Sequence, residues 1–211
     1  MLSILQAAGW PIVPLLLCSI IALALVVERF LSLRESRVAP GRLVDEVLSV
    51  TRTALPPVDT INKLAESSIL GQVLAHGLRA AQTEPRITEN NLRATFESAG
   101  REAVHRLERN LSALGTIASA APLLGLLGTV IGMIEIFGAS GAQTASGSNP
   151  AELAHGISVA LYNTAFGLIV AIPSLIAYRH FRARIEEYTL ALEQAAERMV
   201  PHLLRLTAIR R

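Results

Sequence analysis

The nineteen Lys and Arg residues of this 211-residue chain fall in two blocks, Arg29 to Arg109 and Arg179 to Arg211. What they leave bare constrains the fold most. Met1 to Val27, Asn110 to Ile134 and Leu153 to Tyr178 carry no charge of either sign. A helix needs roughly 20 apolar residues to cross a hydrocarbon core of about 30 Å at about 1.5 Å per residue. All three stretches reach that length. Backbone groups in lipid must be satisfied within the segment, and barrel strands are about half as long and alternate, so the runs are predicted as three transmembrane helices of an all-α membrane protein.

Basic residues near helix ends mark the cytoplasmic side. Arg29, Arg34, Arg37 and Arg42 follow the first run, Arg101, Arg106 and Arg109 precede the second, and Arg179, Arg182 and Arg184 follow the third. The predicted order is an outer N-terminus (1–9), a first span (10–27), a cytoplasmic helical loop (28–109), a second span (110–137), an outer loop (138–152), a third span (153–178) and a cytoplasmic helical tail (179–211). Trp10 and Phe137 at outer ends and Tyr178 at an inner end suit interfacial positions. The first run reads as a retained span and not a signal peptide, because it has no basic n-region and runs straight into Glu28-Arg29. Cys18, the single cysteine, falls inside that span and suggests packing and no redox role.

A net charge of +2 and a pI of 9.1 do not indicate nucleic acid. Acids alternate with bases (Arg34-Glu35, Arg101-Glu102, Glu108-Arg109, Arg184 with Glu186-Glu187), as on a solvated helical surface, and no aromatic residues are interleaved. Pro40-Gly41, Pro56-Pro57 and Pro85 divide the loop into three helical segments. Leu43, Val44, Val47 and Leu48 stripe the first; Ile61, Leu64, Ala65, Ile69, Val73 and Leu74 stripe the second. Thr88 to about Phe137 reads as one helix bent at Pro122, and Leu153 to about Val200 as another. Two of the three transmembrane helices would thus be long and extend into the cytoplasm, and their apolar stripes call for a homo-oligomer.

The second span carries Gly115, Thr116, Ser119, Gly125, Gly128, Thr129 and Gly132, and the third Gly156, Ser158, Ala160, Asn163, Thr164, Gly167 and Ala171. Small residues at steps of three and four allow close helix packing, which by itself accounts for the glycines. Hydroxyls and Asn163 in hydrocarbon must face another helix or water, so a polar seam and a hydrated path between the two spans are expected. Glu135, about a turn from the outer end, and His155 are candidates for an outer ion relay. No phosphate-binding loop, H-E-x-x-H, G-x-S-x-G or metal-ligand spacing occurs, so neither an enzyme, a metal nor a cofactor is expected.

Ala121-Pro122-Leu123-Leu124-Gly125-Leu126-Leu127-Gly128-Thr129-Val130-Ile131-Gly132-Met133 resembles the A-P-x-x-G-L-x-G-T-V-x-G-[IM] signature of the MotA/TolQ/ExbB proton-channel family. Gly156-Ile157-Ser158-Val159-Ala160-Leu161-Tyr162-Asn163-Thr164-Ala165-Phe166-Gly167-Leu168-Ile169-Val170-Ala171-Ile172-Pro173 is similar to its third-span signature, G-I-x-x-A-L-x-x-T-A-x-G-L-x-x-A-I-P. The resemblance covers the whole chain, and its length favours ExbB or TolQ over the flagellar stator subunit. It implies a multi-pass protein of the bacterial inner membrane, N-terminus periplasmic, assembled as a pentamer around single-span helices of an ExbD- or TolR-like partner whose Asp titrates. It also implies that proton flow drives rotation, passed to a TonB- or TolA-like protein for envelope transport.

On that resemblance Thr129 and Thr164 are pore-lining threonines facing the partner's Asp. A hydroxyl donates to a carboxylate and accepts from a carboxylic acid, so it serves both protonation states. Ser158, Asn163, Ser119, Thr116 and Glu135 complete the expected ion path. Pro122, Gly125, Gly128, Gly132, Gly156, Gly167 and Pro173 are expected to pack or kink the helices. One departure stands out: Val159 occupies a third-span position where many ExbB and TolQ proteins have Glu, and Glu135 one where they often have His. With Val159 there, the titrating group must come from the partner. The alternatives are a non-conducting structural membrane scaffold and a Na⁺-driven relative.

Overall fold

The structure is a computed structural model that describes residues 10–84, 86–141 and 150–209, the side chains of 139–141, 150–153, 155 and 209 excepted. The expected outer N-terminus (1–9) and the centre of the expected outer loop (142–149) lie outside the described residues, as does the side chain of His155. The described residues form eight helices and no strand: α1 (Ile12–Ser32), α2 (Glu35–Val38), α3 (Leu43–Val50), α4 (Val58–Ser67), α5 (Ile69–Thr83), α6 (Glu89–Glu108), α7 (Leu111–Gly141) and α8 (Pro150–Ile209). Three helical stretches are long and apolar enough to cross a membrane, Ile12–Ser32, Glu89–Gly138 and Gly156–Ala208. The chain divides into two compact units, one of Met1–Glu28 with Asn110–His180 and one of Arg29–Arg109 with Phe181–Arg211.

The first unit contains the apolar runs. Leu15 of α1, Ala121 of α7 and Ala171 of α8 are fully buried together, with Leu124, Phe166 and Val170 packed against them. Two of those three core positions are alanines, so the helices meet with little side-chain bulk between them. Large apolar side chains cover the outside instead, among them Ile20 and Leu23 of α1, Leu123 and Ile134 of α7, and Ile169 and Ile176 of α8. Such a surface would be a liability in water and is the expected face toward lipid. At one end of this unit, Asn110 Nδ2 donates to Glu28 Oε2 at 3.2 Å.

The second unit is a helical bundle with an apolar core. Helices α4, α5 and α6 pack in succession around Ile61, Val73, Leu74, Leu78, Leu92 and Phe96, all buried. The second half of α8 contributes Ile185, Tyr188, Leu192, Met199 and Leu203, also buried. Polar ties accompany this burial. Tyr188 Oη donates to the Leu33 carbonyl at 2.8 Å, Arg184 lies over the Tyr188 ring at 5.2 Å, and Arg198 pairs with Asp45. Interaction with Tyr188, and then with Glu187, raises the Arg184 pKa above its ordinary value. Thr51, fully buried at the end of α3, meets His202 Nε2 through its hydroxyl at 2.8 Å.

Three sequence expectations are corrected here. The second loop segment is two helices: Ser68, with extended backbone (φ −165°, ψ 169°), accepts from the Gly71 N–H at 3.0 Å and starts α5 afresh. Serine is a strong N-cap, and that local bond outcompetes continuation of α4. The helix expected unbroken from Thr88 to Phe137 is one helical stretch, Glu89–Gly138, divided by a turn at Arg109 and Asn110, with Arg109 still in helical backbone (φ −44°, ψ −49°). There the Arg29 guanidinium takes the Leu107 carbonyl at 2.7 Å, an acceptor a continuous helix would offer to residue 111. Finally, α8 does not stop at Val200 but continues through Pro201 to Ile209. Proline inside a helix costs about 3 kcal/mol, and burying each of Leu203 and Leu206 in the following turn recovers about 1.5–3 kcal/mol.

Candidate ion path: a threonine pair in a glycine seam

Helices α7 and α8 approach so closely in the first unit that side chains are excluded at their crossing. A Cβ on Gly125 would lie 2.7 Å from the Asn163 carbonyl oxygen and 3.0 Å from the Thr164 Cα. One on Gly167 would lie 2.7 Å from the Ala121 carbonyl and 3.1 Å from the Gly125 Cα. These neighbours are backbone and cannot swing aside. Glycine at both positions is therefore what lets the two backbones touch, in the small-residue mode that substitutes for hydrophobic driving force in lipid. The seam continues along both helices. Gly128 accommodates the Asn163 side chain, Gly132 faces Ala160, Gly156 faces Ile136, and Gly115 receives the Tyr178 ring. Pro122 and Pro173 both lie inside their helices.

One turn beyond the Gly125 crossing the threonines meet. Thr129 Oγ1 and Thr164 Oγ1 are 2.5 Å apart, and both are half-buried. Around them stand two carbonyls, each four residues before a threonine. Thr129 Oγ1 lies 3.1 Å from the Gly125 oxygen and 3.3 Å from the Ala160 oxygen; Thr164 Oγ1 lies 3.3 Å from the Gly125 oxygen. Two hydroxyls supply two protons. When one is shared between the hydroxyls, only the other is left for a carbonyl. Two proton arrangements of nearly equal geometry follow, with either Thr129 or Thr164 as the internal donor. Asn163, only 2% exposed, packs on Gly128 beside the pair.

The other residues expected on the path are not part of this hydroxyl pair. Thr116, Ser119 and Ser158 are exposed on the surface of the unit, and each hydroxyl donates back into its own helix, to Ser112, to Gly115 and Thr116, and to Ala154 at 2.9–3.0 Å. That local bond removes most of the cost of an exposed hydroxyl in an apolar setting. Glu135 is exposed near the end of α7, while Val159 is half-buried. Among the described residues, no group of three or more His, Cys, Asp or Glu could hold a metal ion.

Sequence reasoning missed Arg29. Read as a cation at the membrane surface, it is 3% exposed and committed to the Leu107 carbonyl. Its position between Val27 and Phe30, inside the apolar run and not after it, was the available signal. A cavity of about 630 Å³ between α6 and the second half of α8 in the second unit contains none of the expected path residues; Val73, Phe96, Val104 and Leu192 are among the residues that line it.

The sequence pattern of the MotA/TolQ/ExbB proton channel family matches residues 65–194, which include both threonines and both closest glycines. The chain is 32% identical over 193 residues to the biopolymer transport protein ExbB-like 3 of Synechocystis sp., covering 91% of this chain and 90% of that protein. It is 32% identical over 181 residues to the biopolymer transport protein exbB1 of Vibrio cholerae, covering 81% and 74% of the two chains. Over 100 residues it is 41% identical to the Tol-Pal system protein TolQ of Pseudomonas aeruginosa, covering 47% and 42%.

Proposed function

The chain belongs to the MotA/TolQ/ExbB proton channel family, and from that premise we propose that it is the pore-forming subunit of an ion-driven motor of the bacterial inner membrane. Copies of the chain, five by family resemblance, enclose single-span helices of an ExbD- or TolR-like partner. Ion flow through the assembly powers a TonB- or TolA-like protein in envelope transport. The N-terminus is periplasmic, and the second unit, with most of the charge, is cytoplasmic.

The observation that carries this reading is the Thr129–Thr164 hydroxyl pair held at a glycine crossing. No carboxylate lies between residues 111 and 134 of α7 or between residues 153 and 178 of α8; Glu135 stands toward the end of α7 and Val159 is aliphatic. The pair therefore has hydrogen-bonding capacity without an acid of its own. A carboxyl group brought by the partner would complete it. Ionised, that carboxylate accepts a hydrogen bond from a hydroxyl; protonated, it donates one to a threonine oxygen, and the second hydroxyl reorients to follow. The two proton arrangements of the pair fit the two states of the acid.

Substitution separates the hydroxyl from the shape. In cells or membranes containing the full complex, Thr164→Val keeps the side-chain volume and should abolish ion-driven work, while Thr164→Ser keeps the donor and should retain a substantial part. Full activity in Thr164→Val, with assembly intact, would remove the pair from the mechanism.

A further inference from the structure

Gly100, midway along α6, has no neighbour to explain it. A Cβ there would meet no other part of the chain within 4 Å, unlike one at Gly77 or Gly125, where the chain's own atoms fill the space. Glycine inside a helix is less stable than alanine, and its use is to let another group come close. Gly100 lines the cavity of about 630 Å³ in the second unit, and the α8 wall has the small residue Ala196. The cavity is a groove of helical dimensions. Its α6 wall runs from Arg93 to Glu108 in steps of three and four, and its α8 wall from Thr189 to Val200 in the same steps. At about 1.5 Å per residue the walls are roughly 16–22 Å long, the length of a helix of about 11–15 residues. Between them the lining is apolar at Phe96, Val104, Leu192 and Val200. Such a trough takes the apolar face of an amphipathic helix, and small residues at its middle admit the incoming backbone.

The edges of the groove carry an unbalanced charge. Both arginines on the α6 edge are matched, Arg93 to Glu89 at 3.0 Å and Arg101 to Glu97 at 3.9 Å. On the α8 edge Glu193 and Glu197 are exposed, stand one turn apart and have no hydrogen-bond or ion-pair partner among the described residues. Like charges at that spacing repel. Arg198, the next residue, is taken by Asp45, and His105 is the remaining basic group on the lining. A helix with Lys or Arg beside its apolar face would relieve the repulsion as it enters. A second copy of this chain has no such helix to offer from its second unit. Beyond Leu31 the exposed large apolar side chains described there are Val50, Val58 and Leu190, one each on α3, α4 and α8, so none of those helices shows an exposed apolar stripe.

We propose that the groove between α6 and α8 is a docking site for a basic amphipathic helix of a partner protein. The inference lies wholly within the second unit and is independent of any ion path.

The full-length protein in an uncharged detergent is titrated with two fluorescein-labelled helical peptides of about 15 residues, one built of leucine and lysine at helical spacing, the other of leucine and glutamate. Anisotropy reads the affinity and hydrogen exchange the place. The leucine–lysine peptide is expected to saturate and to slow exchange in 93–108 and 189–200, and the leucine–glutamate peptide to bind far more weakly. Glu193→Gln/Glu197→Gln should weaken the leucine–lysine peptide roughly tenfold, the size of two exposed ion pairs. The control Glu46→Gln/Glu66→Gln removes equal exposed charge from α3 and α4 and should change nothing. Gly100→Leu projects into open space, so the fold should survive while the groove is blocked. Equal binding of the two peptides, or unchanged affinity in the folded glutamate variant, overturns the basic partner, and absence of protection in the groove overturns the site. An oligomer on gel filtration that wild type forms and Gly100→Leu loses would assign the groove to a second copy and overturn the proposal as well.

Discussion

Two glycines, one in each unit, show how differently the two halves of this chain are held together. Gly125 in the first unit admits a backbone: its neighbours are the Asn163 carbonyl and the Cα atoms of Thr164 and Gly167. Gly77 in the second unit admits a side chain, with the Phe96 ring resting where a Cβ would stand. In lipid, burying apolar surface against apolar surface gains little, and association depends on dispersion contacts that improve as backbones approach. In water, removing a phenyl ring from solvent is itself the driving force, and a glycine only makes room for it. The same residue type therefore serves two kinds of packing.

The largest effect expected from breaking this contrast is at the backbone crossing. Gly125→Leu cannot be accommodated by side-chain movement and should prevent α7 and α8 from closing, so that assembly is lost on gel filtration in detergent. The smaller Gly125→Ala should cost about 1–3 kcal/mol, as overpacking against fixed atoms does, and lower the melting temperature of the detergent-solubilised protein. Gly77→Ala should destabilise by a comparable or smaller amount, since the obstructing group is a ring that can be trimmed. Adding Phe96→Leu to Gly77→Ala should recover part of the loss, whereas no substitution at Asn163 should rescue Gly125→Ala, because the clash there is with backbone. Equal rescue in both places would erase the distinction.

The smallest expected effect concerns Arg29, beside the break between α6 and α7. Arg29→Leu leaves the Leu107 carbonyl without this donor, a loss of about 1–3 kcal/mol if the group stays dry. Faster hydrogen exchange confined to residues 107–112 would identify the helix break as the place affected. Unchanged exchange there would mean that water or another donor substitutes freely.

Much of the architecture was legible because it rests on long-range periodicity. Three uncharged runs fixed three helices, and steps of three and four among Gly125, Gly128, Gly132 and Thr129 marked the face of α7 turned to α8. The threonine pair was legible through two linear signatures that place Thr129 and Thr164 on the two helices. The misreadings came where a single local bond competes with helix continuation. Ser68 capping Gly71 and Arg29 capturing Leu107 are pairwise choices that no periodic pattern records, and the passage of α8 through Pro201 depends on burial of Leu203 by residues distant in sequence. Thr116, Ser119 and Ser158 are a separate case, exposed on a single copy of a chain read as an oligomer. Their residue type announced polarity, but an i−4 carbonyl satisfies a hydroxyl on any face of a helix.

On this reading the Thr129–Thr164 pair conducts ions only in company with a carboxyl group from a partner. Proton uptake driven by a membrane potential, in liposomes containing this chain with or without a single-span partner bearing a membrane Asp, tests it directly. Flux is expected with the partner, none with the chain alone, and none with the partner when Thr164 is replaced by Val. Equal flux without the partner, or none in any combination from correctly assembled complexes, would contradict it, the latter leaving a structural scaffold.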